Sequence, residues 1–68
     1  MNEFAKRLAE TMKNAGVTQG AVAKRLNVLQ QSVSYWVKGT YEPSISQIIE
    51  LCKVLDVTPN YLLGFAEF

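Results

Sequence analysis

Apolar residues recur at helical spacing in five short stretches, separated by turn residues that stop each one before the next begins. The first predicts a helix from about Glu3 to Asn14 with Asn2 as N-cap. Phe4, Leu8, Met12 and Ala15 share one face of it, and Lys6, Arg7, Glu10 and Lys13 lie largely outside that face. Gly16 suits the left-handed position that ends a helix. Thr18 caps a second helix running to about Leu26, with Val22, Ala23 and Leu26 inward and Asn27 as its end. Gly20, in the first turn, weakens this helix by roughly 1 kcal/mol relative to Ala. A third helix is expected over Gln30 to Lys38, with Val33, Trp36 and Val37 on its apolar side and Gly39 closing it. Ser44 and Gln47 have the capping-box spacing that opens a fourth helix, whose stripe is Ile45, Ile48, Ile49, Cys52 and Leu55, through to Asp56. Thr58 and Pro59 start a short fifth helix that carries Tyr61 to Leu63 and stops at Gly64. The expected fold is therefore all-α: five helices in one domain over residues 1–68, around Phe4, Leu8, Met12, Val22, Leu26, Val33, Trp36, Val37, Ile48, Cys52, Leu55 and Leu62.

Composition removes function classes. The chain has no histidine, and so lacks the commonest general acid/base and zinc nitrogen ligand. Its single cysteine, Cys52, cannot form an internal disulfide or a thiolate metal site, and on an apolar stripe it reads as a small buried hydrophobe. The four glycines are scattered at turns and helix ends, with no phosphate-cradling loop. No enzymatic chemistry and no cofactor is indicated. No apolar run spans a membrane and the start lacks a signal-peptide core, which leaves a reducing, cytoplasmic setting as the expectation. The formal net charge is only +1, less basic than many nucleic-acid binders, which suggests weak non-specific affinity or help from dimerisation.

The segment Thr18 to Gly39 is the informative one. Only Asn27, Val28 and Leu29 separate two short helices, and so tight a turn sets them at a steep angle, as in a DNA-binding helix-turn-helix. Val28 and Leu29 are expected to plug the turn into the core. The exposed start of the third helix is then a run of amides and hydroxyls, Gln30-Gln31-Ser32, followed by Ser34 and Tyr35. A glutamine amide offers a donor and an acceptor in one plane, matching adenine N6 and N7 in the major groove. No carboxylate lies between Gln30 and Lys38 to repel phosphate, and a helix N-terminus itself favours an anion.

The stretch VTQGAVAKRLNVLQQSVSYWVKGTYEPSI, then an Ile/Leu-rich helix and LDVTPNYLLG, resembles the lambda-repressor-like, Cro/repressor-type (XRE-like) helix-turn-helix family over nearly the whole chain. The T-Q opening, the central Ala of the second helix, the apolar turn, W-x-x-G and the later P-S are individually weak signals; their order and spacing carry the resemblance. It implies a five-helix lambda-repressor-like domain, a transcriptional repressor of phage or bacterial type, and a dimer on an inverted-repeat operator in double-stranded DNA. By matching position it implies base-edge contact for Gln30, Gln31 and Tyr35, and base or phosphate contact for Ser32. Gln19 falls where the family touches phosphate and braces the first glutamine of the reading helix, and Lys38, Thr40 and Tyr41 fall where it holds the DNA backbone. Two positions depart. Leu29 stands where a Ser or Thr cap is usual, at a cost of about 1 kcal/mol. Met12 and Val37 stand where an Arg–Glu pair is common, and are expected to touch instead.

Blander readings apply to several residues. Gln30-Gln31-Ser32 alone is no more than a solvated helix start, and Tyr35 is as well suited to cover the core as to meet DNA. Trp36 shares a face with Val33 and reads as core. Lys24-Arg25 reads as a solvated helix end, and Lys6, Arg7 and Lys13 as the wet face of the first helix. A protein-interaction module on the same fold, such as an antitoxin or antirepressor, is the rival function. A DNA reader should gather Lys24, Lys38 and the start of the second helix around Gln30 and Gln31, with Glu42 and Glu50 turned away. Tyr61, Leu63, Phe65 and Phe68 cannot all fit inside so small a core, so the C-terminal end is the expected surface of a weak homodimer. The alternatives are that Phe65 and Phe68 fold back over the first helix, or that the chain was cut from a longer one.

Overall fold

The computed structural model describes residues 2–67. Five helices follow in order: α1 (Glu3–Ala15), α2 (Gln19–Leu26), α3 (Gln30–Lys38), α4 (Ile45–Leu55) and α5 (Pro59–Leu62). Their boundaries are set by the residues the pattern singles out. Asn2 Oδ1 accepts from the Ala5 N–H at 2.7 Å, and the hydroxyls of Thr18 and Thr58 cap α2 and α5 the same way. Ser44 and Gln47 form a reciprocal capping box on α4. At the other ends Gly16, Asn27, Gly39 and Asp56 all take left-handed backbone, which turns the chain out of each helix.

The core is built where these helices cross. Leu8 from α1, Val22 from α2, Val33 from α3, Leu51 from α4 and Leu62 from α5 are fully buried, so every helix contributes a side chain that solvent never reaches. Phe4, Met12, Ala23, Trp36, Cys52 and Leu55 complete the cluster, with Leu26, Val37 and Ile48 among the partly buried residues packed against it. Met12 is buried in this cluster, and Val37 packs against it, partly buried. Burial also raises the Cys52 thiol pKa, as expected for a sulfur in an apolar setting.

Two expectations about inward faces are corrected. Ala15 is exposed at the last turn of α1. On α4, Ile45 is 79% and Ile49 46% exposed, and Leu51, absent from the expected stripe, is wholly buried. The helix packs against α1, α2 and α5. The face it turns to them is Ile48-Leu51-Cys52-Leu55, which leaves Ile45 and Ile49 outside.

Arg7 is not on the wet face. Only 12% of its side chain is exposed, and it ties α1 to the end of the chain. Its Nε donates to Glu3 Oε2 at 2.9 Å, and its Nη1 donates to the carbonyls of Ala66 at 2.6 Å and Tyr61 at 3.2 Å. The guanidinium also lies 4.7 Å from the Tyr61 ring centroid. The hydrogen bond from Arg7 holds the Glu3 carboxyl below its ordinary pKa, and Glu3 in turn raises that of Arg7. Gly64 makes this closure possible. At φ +89° it adopts backbone that other residues avoid, and a Cβ there would sit 2.5 Å from Glu3 Cγ.

The corrected face of α4 predicts a contrast. Leu51→Ala should cost about 2–5 kcal/mol through lost burial and the cavity left behind. Ile45→Ala should stay within about 0.5 kcal/mol of the parent, as surface substitutions do. Urea denaturation of both variants measures this; equal costs would place Ile45 in the core.

Candidate nucleic-acid interface

The position of α3 is decided one residue at a time in the turn before it. Asn27 sits at φ 58°, ψ 48°, and its N–H donates back to α2 carbonyls. The Val28 N–H follows, to Ala23 O at 2.9 Å, which draws the Val28 side chain down onto the core. Leu29 does not follow it inward: it is 72% exposed, so only half of the expected apolar plug forms. The chain needs extended backbone at Leu29 (φ −72°, ψ 143°) to open α3, and that conformation carries the side chain outward.

Val33 and Trp36 then fix the rotation of α3. Both are buried, with Val37 beside them half-buried, and the opposite side of the helix is left to Gln30, Gln31 and Lys38, all exposed, and to the half-buried Ser32, Ser34 and Tyr35. Leu29 supplies no side-chain cap. The first-turn N–H groups of Gln30 and Gln31 therefore face outward with the positive end of the helix dipole behind them.

The expected contact residues fall into two groups. At the start of α3, the Gln30 amide lies over Gly20; a Cβ at Gly20 would be 3.4 Å from Gln30 Oε1. That is ordinary van der Waals distance to the flexible end of the side chain, so Gln30 reaches across to the first turn of α2, whose first residue, Gln19, is half-buried. Farther along, the Gln31 Nε2–H donates to the Tyr35 hydroxyl at 2.7 Å. The chain after Gly39 curls back, with the Thr40 N–H on Tyr35 O at 2.9 Å, and brings the Tyr41 ring to 5.1 Å from that of Tyr35 in an edge-to-face arrangement. Lys38, Thr40 and Tyr41 are all exposed at this end. The i,i+4 spacing of Gln31 and Tyr35 is a signal in the sequence. The Tyr35–Tyr41 pair has none, because it depends on how the loop folds back.

Charge is segregated along the chain. Residues 11–41 hold Lys13, Lys24, Arg25 and Lys38 and no acid, and all six acids fall outside that span. Glu50 is paired with Lys53 on α4 at 3.4 Å. Glu42 borders a shallow hollow with Phe4, Pro43, Ile48 and Leu63, on the side of α1 and the chain end. The near-neutral total thus conceals a basic helix-turn-helix.

The family model described as Helix-turn-helix matches residues 3–62. The chain belongs to the lambda-repressor-like helix-turn-helix family. Among curated proteins of this helix-turn-helix type, the transcriptional regulator ImmR of Bacillus subtilis (strain 168) is 32% identical over 64 residues, 94% of this chain and 50% of that protein. The transcriptional regulator DicA of Escherichia coli (strain K12) is 36% identical over 60 residues, 88% of this chain and 44% of that protein. The chain therefore spans about half the length of these curated relatives. Solved lambda-repressor-like structures agree in fold. A transcriptional regulator from Listeria innocua superposes with a TM-score of 0.87 at 27% identity, covering 97% of this chain and 62% of that one. The P22 c2 repressor, solved in complex with synthetic operator 9T, also gives a TM-score of 0.87 at 26% identity, covering 97% of this chain and all (100%) of that one.

The uncapped start of α3 is testable in the free protein. Leu29→Ser should supply the missing cap and raise stability by about 1 kcal/mol, since the leucine side chain it replaces buries little. The measurement is the urea midpoint at unchanged slope; a lower midpoint would mean that the leucine has a packing role.

Proposed function

We propose that this chain is the DNA-binding domain, over residues 1–68, of a cytoplasmic transcriptional repressor, and that α3 reads base edges in the major groove. The observation that carries this reading is the start of α3, which presents exposed Gln30 and Gln31 within a stretch of 31 residues, 11–41, that has bases and no acid. The fold supports it further: the P22 c2 repressor, which shares it, was solved on operator DNA. This family is one of DNA-binding transcription regulators, which is not an enzyme class. No helix among the described residues is long and apolar enough to cross a membrane.

In this reading Gln30 and Gln31 pair with base edges, a carboxamide matching adenine N6 and N7. Ser32 reaches a base or a phosphate, and the Tyr35 hydroxyl lies along the same face. Gln19 at the start of α2, with Lys38, Thr40 and Tyr41 after α3, holds phosphates on either side, which sets register without reading sequence. Gln30→Ala and Gln31→Ala should each cost about 1–3 kcal/mol on the preferred duplex and relax preference at one base pair. Lys38→Ala should weaken all sequences alike and reduce the salt slope by about 0.9. Selection from a randomised DNA library, followed by competition binding, measures all three. Unchanged base preference in both glutamine variants would turn the reading toward the protein-interaction module.

One reading helix touches too few base pairs to specify a genomic site, so two copies are expected on an inverted repeat with half-sites about 34 Å apart. The C-terminal end supports a weak homodimer: Phe65 is 84% and Leu63 40% exposed. Phe65 does not fold back over α1. Tyr61 adds less than its sequence suggests, because Arg7 covers its ring, and Phe68 lies outside the described residues. Sedimentation with an inverted-repeat duplex should show two chains per duplex and mostly monomer without DNA. One chain per duplex, at concentrations where both half-sites fill, would refute the dimer.

A further inference from the structure

We infer that Tyr41 is a specificity-positioning residue: its ring holds Tyr35, and the Tyr35 hydroxyl holds the Gln31 carboxamide in the orientation that reads a base. The inference rests on the proposal that Gln31 meets a base edge, and adds a role that the position of Tyr41 in the family pattern does not give it, which is backbone contact alone.

The geometry forms a chain of two contacts. Gln31 Nε2 donates one of its two hydrogens to the Tyr35 hydroxyl at 2.7 Å. Tyr35, half-buried on α3, has its ring packed edge-to-face on that of Tyr41, with centroids 5.1 Å apart and planes at 78°. Tyr41 is held in place by its own backbone: the Thr40 and Tyr41 N–H groups both approach Tyr35 O, at 2.9 and 3.5 Å. The ring of Tyr41 is 63% exposed and covers little of the core, so its packing is directed at Tyr35 rather than inward.

The consequence lies in the hydrogen-bond inventory. A carboxamide has two N–H donors and one carbonyl acceptor. A phenol hydroxyl both donates and accepts, so it ties the carboxamide in place whichever edge faces it. With Nε2 toward Tyr35, the second N–H and the carbonyl oxygen are left for a base edge, the pair that adenine N7 and N6 require. A free glutamine presents either edge and must be ordered on binding, at a cost in affinity. Here the ordering is in place beforehand. The Tyr35 hydroxyl, accepting from Gln31, keeps its own hydrogen for an acceptor on the DNA.

The test separates ring from hydroxyl. The base pair whose preference Gln31→Ala relaxes is identified first, using duplexes selected by the parent chain and altered one pair at a time. Tyr35→Phe and Tyr41→Ala should then lose about three- to tenfold of discrimination at that same pair, the scale of ordering one flexible side chain. Tyr41→Phe keeps the ring and should keep the discrimination, even if overall affinity falls through a lost phosphate contact. Without DNA, the Gln31 side-chain amide resonances should shift in Tyr35→Phe and Tyr41→Ala and hold in Tyr41→Phe, with circular dichroism confirming folded helices throughout. If Tyr41→Ala weakens every duplex alike and leaves the Gln31 resonances unmoved, Tyr41 is a backbone contact only and the inference is overturned. If Gln31→Ala relaxes no base pair at all, the reading of Gln31 falls, and the relay with it.

Discussion

What α3 can present depends on one left-handed residue, Asn27. Its φ of 58° turns the chain sharply after α2, and asparagine tolerates this backbone better than other residues with a Cβ. The turn has only Asn27, Val28 and Leu29 in which to reverse direction, reseal the core and reopen a helix. Val28 does the resealing through its N–H to Ala23 and its side chain against the cluster. Leu29 is spent on extended backbone and left in solvent. With the entry angle fixed there, Val33 and Trp36 have only one way to reach the core, and the outward direction of Gln30 and Gln31 follows from it.

The second fixed point is at the far end of the chain. Arg7 joins α1 to the carbonyls of Tyr61 and Ala66, so the segment after α5 is held against the first helix rather than only through Leu62. Gly64, at φ +89°, comes close to the Glu3 side chain at this closure. The two ends of the domain thus do different work. The turn at Asn27 aims the polar face of α3, and the closure at Arg7 sets where the chain leaves the fold and which apolar groups it leaves outside.

The helices and their ends were legible because local chemistry decides them. Asn2, Thr18, Ser44 and Thr58 cap where short polar side chains must, and Gly16, Asn27 and Gly39 stop helices where left-handed backbone is affordable. The polar face of α3 was legible for the same reason, since nine residues with two buried anchors leave little choice of rotation. Helix α4 was less so. Its apolar residues nearly encircle it, and period alone cannot say that Leu51 rather than Ile45 faces in; the partners α1, α2 and α5 decide that. Arg7 was misread because, apart from Glu3 one turn away, its acceptors are main-chain carbonyls 54 and 59 residues away, which no pattern near it records. Tyr41 was placed by resemblance, but its partnership with Tyr35 exists only once the loop has folded.

The charge distribution explains how so small a net charge is compatible with the face that α3 shows. A polyanion responds to the field near it more than to the total. Glu3 and Glu10 lie on α1, Glu42 in the loop after Tyr41, Glu50 on α4, Asp56 at its end and Glu67 in the tail; Glu3 is engaged by Arg7 and Glu50 by Lys53. The span from the last turns of α1 through Tyr41, which includes the glutamines, holds bases and no acid. In the proposed reading, a chain whose charge is divided in this way meets a phosphate backbone through its basic segment, with few bases to hold it there. Weak general attraction lets contacts to particular bases make up a larger share of the binding energy, which is what discrimination between sites requires. A more basic chain would bind DNA more tightly everywhere and distinguish among sites no better.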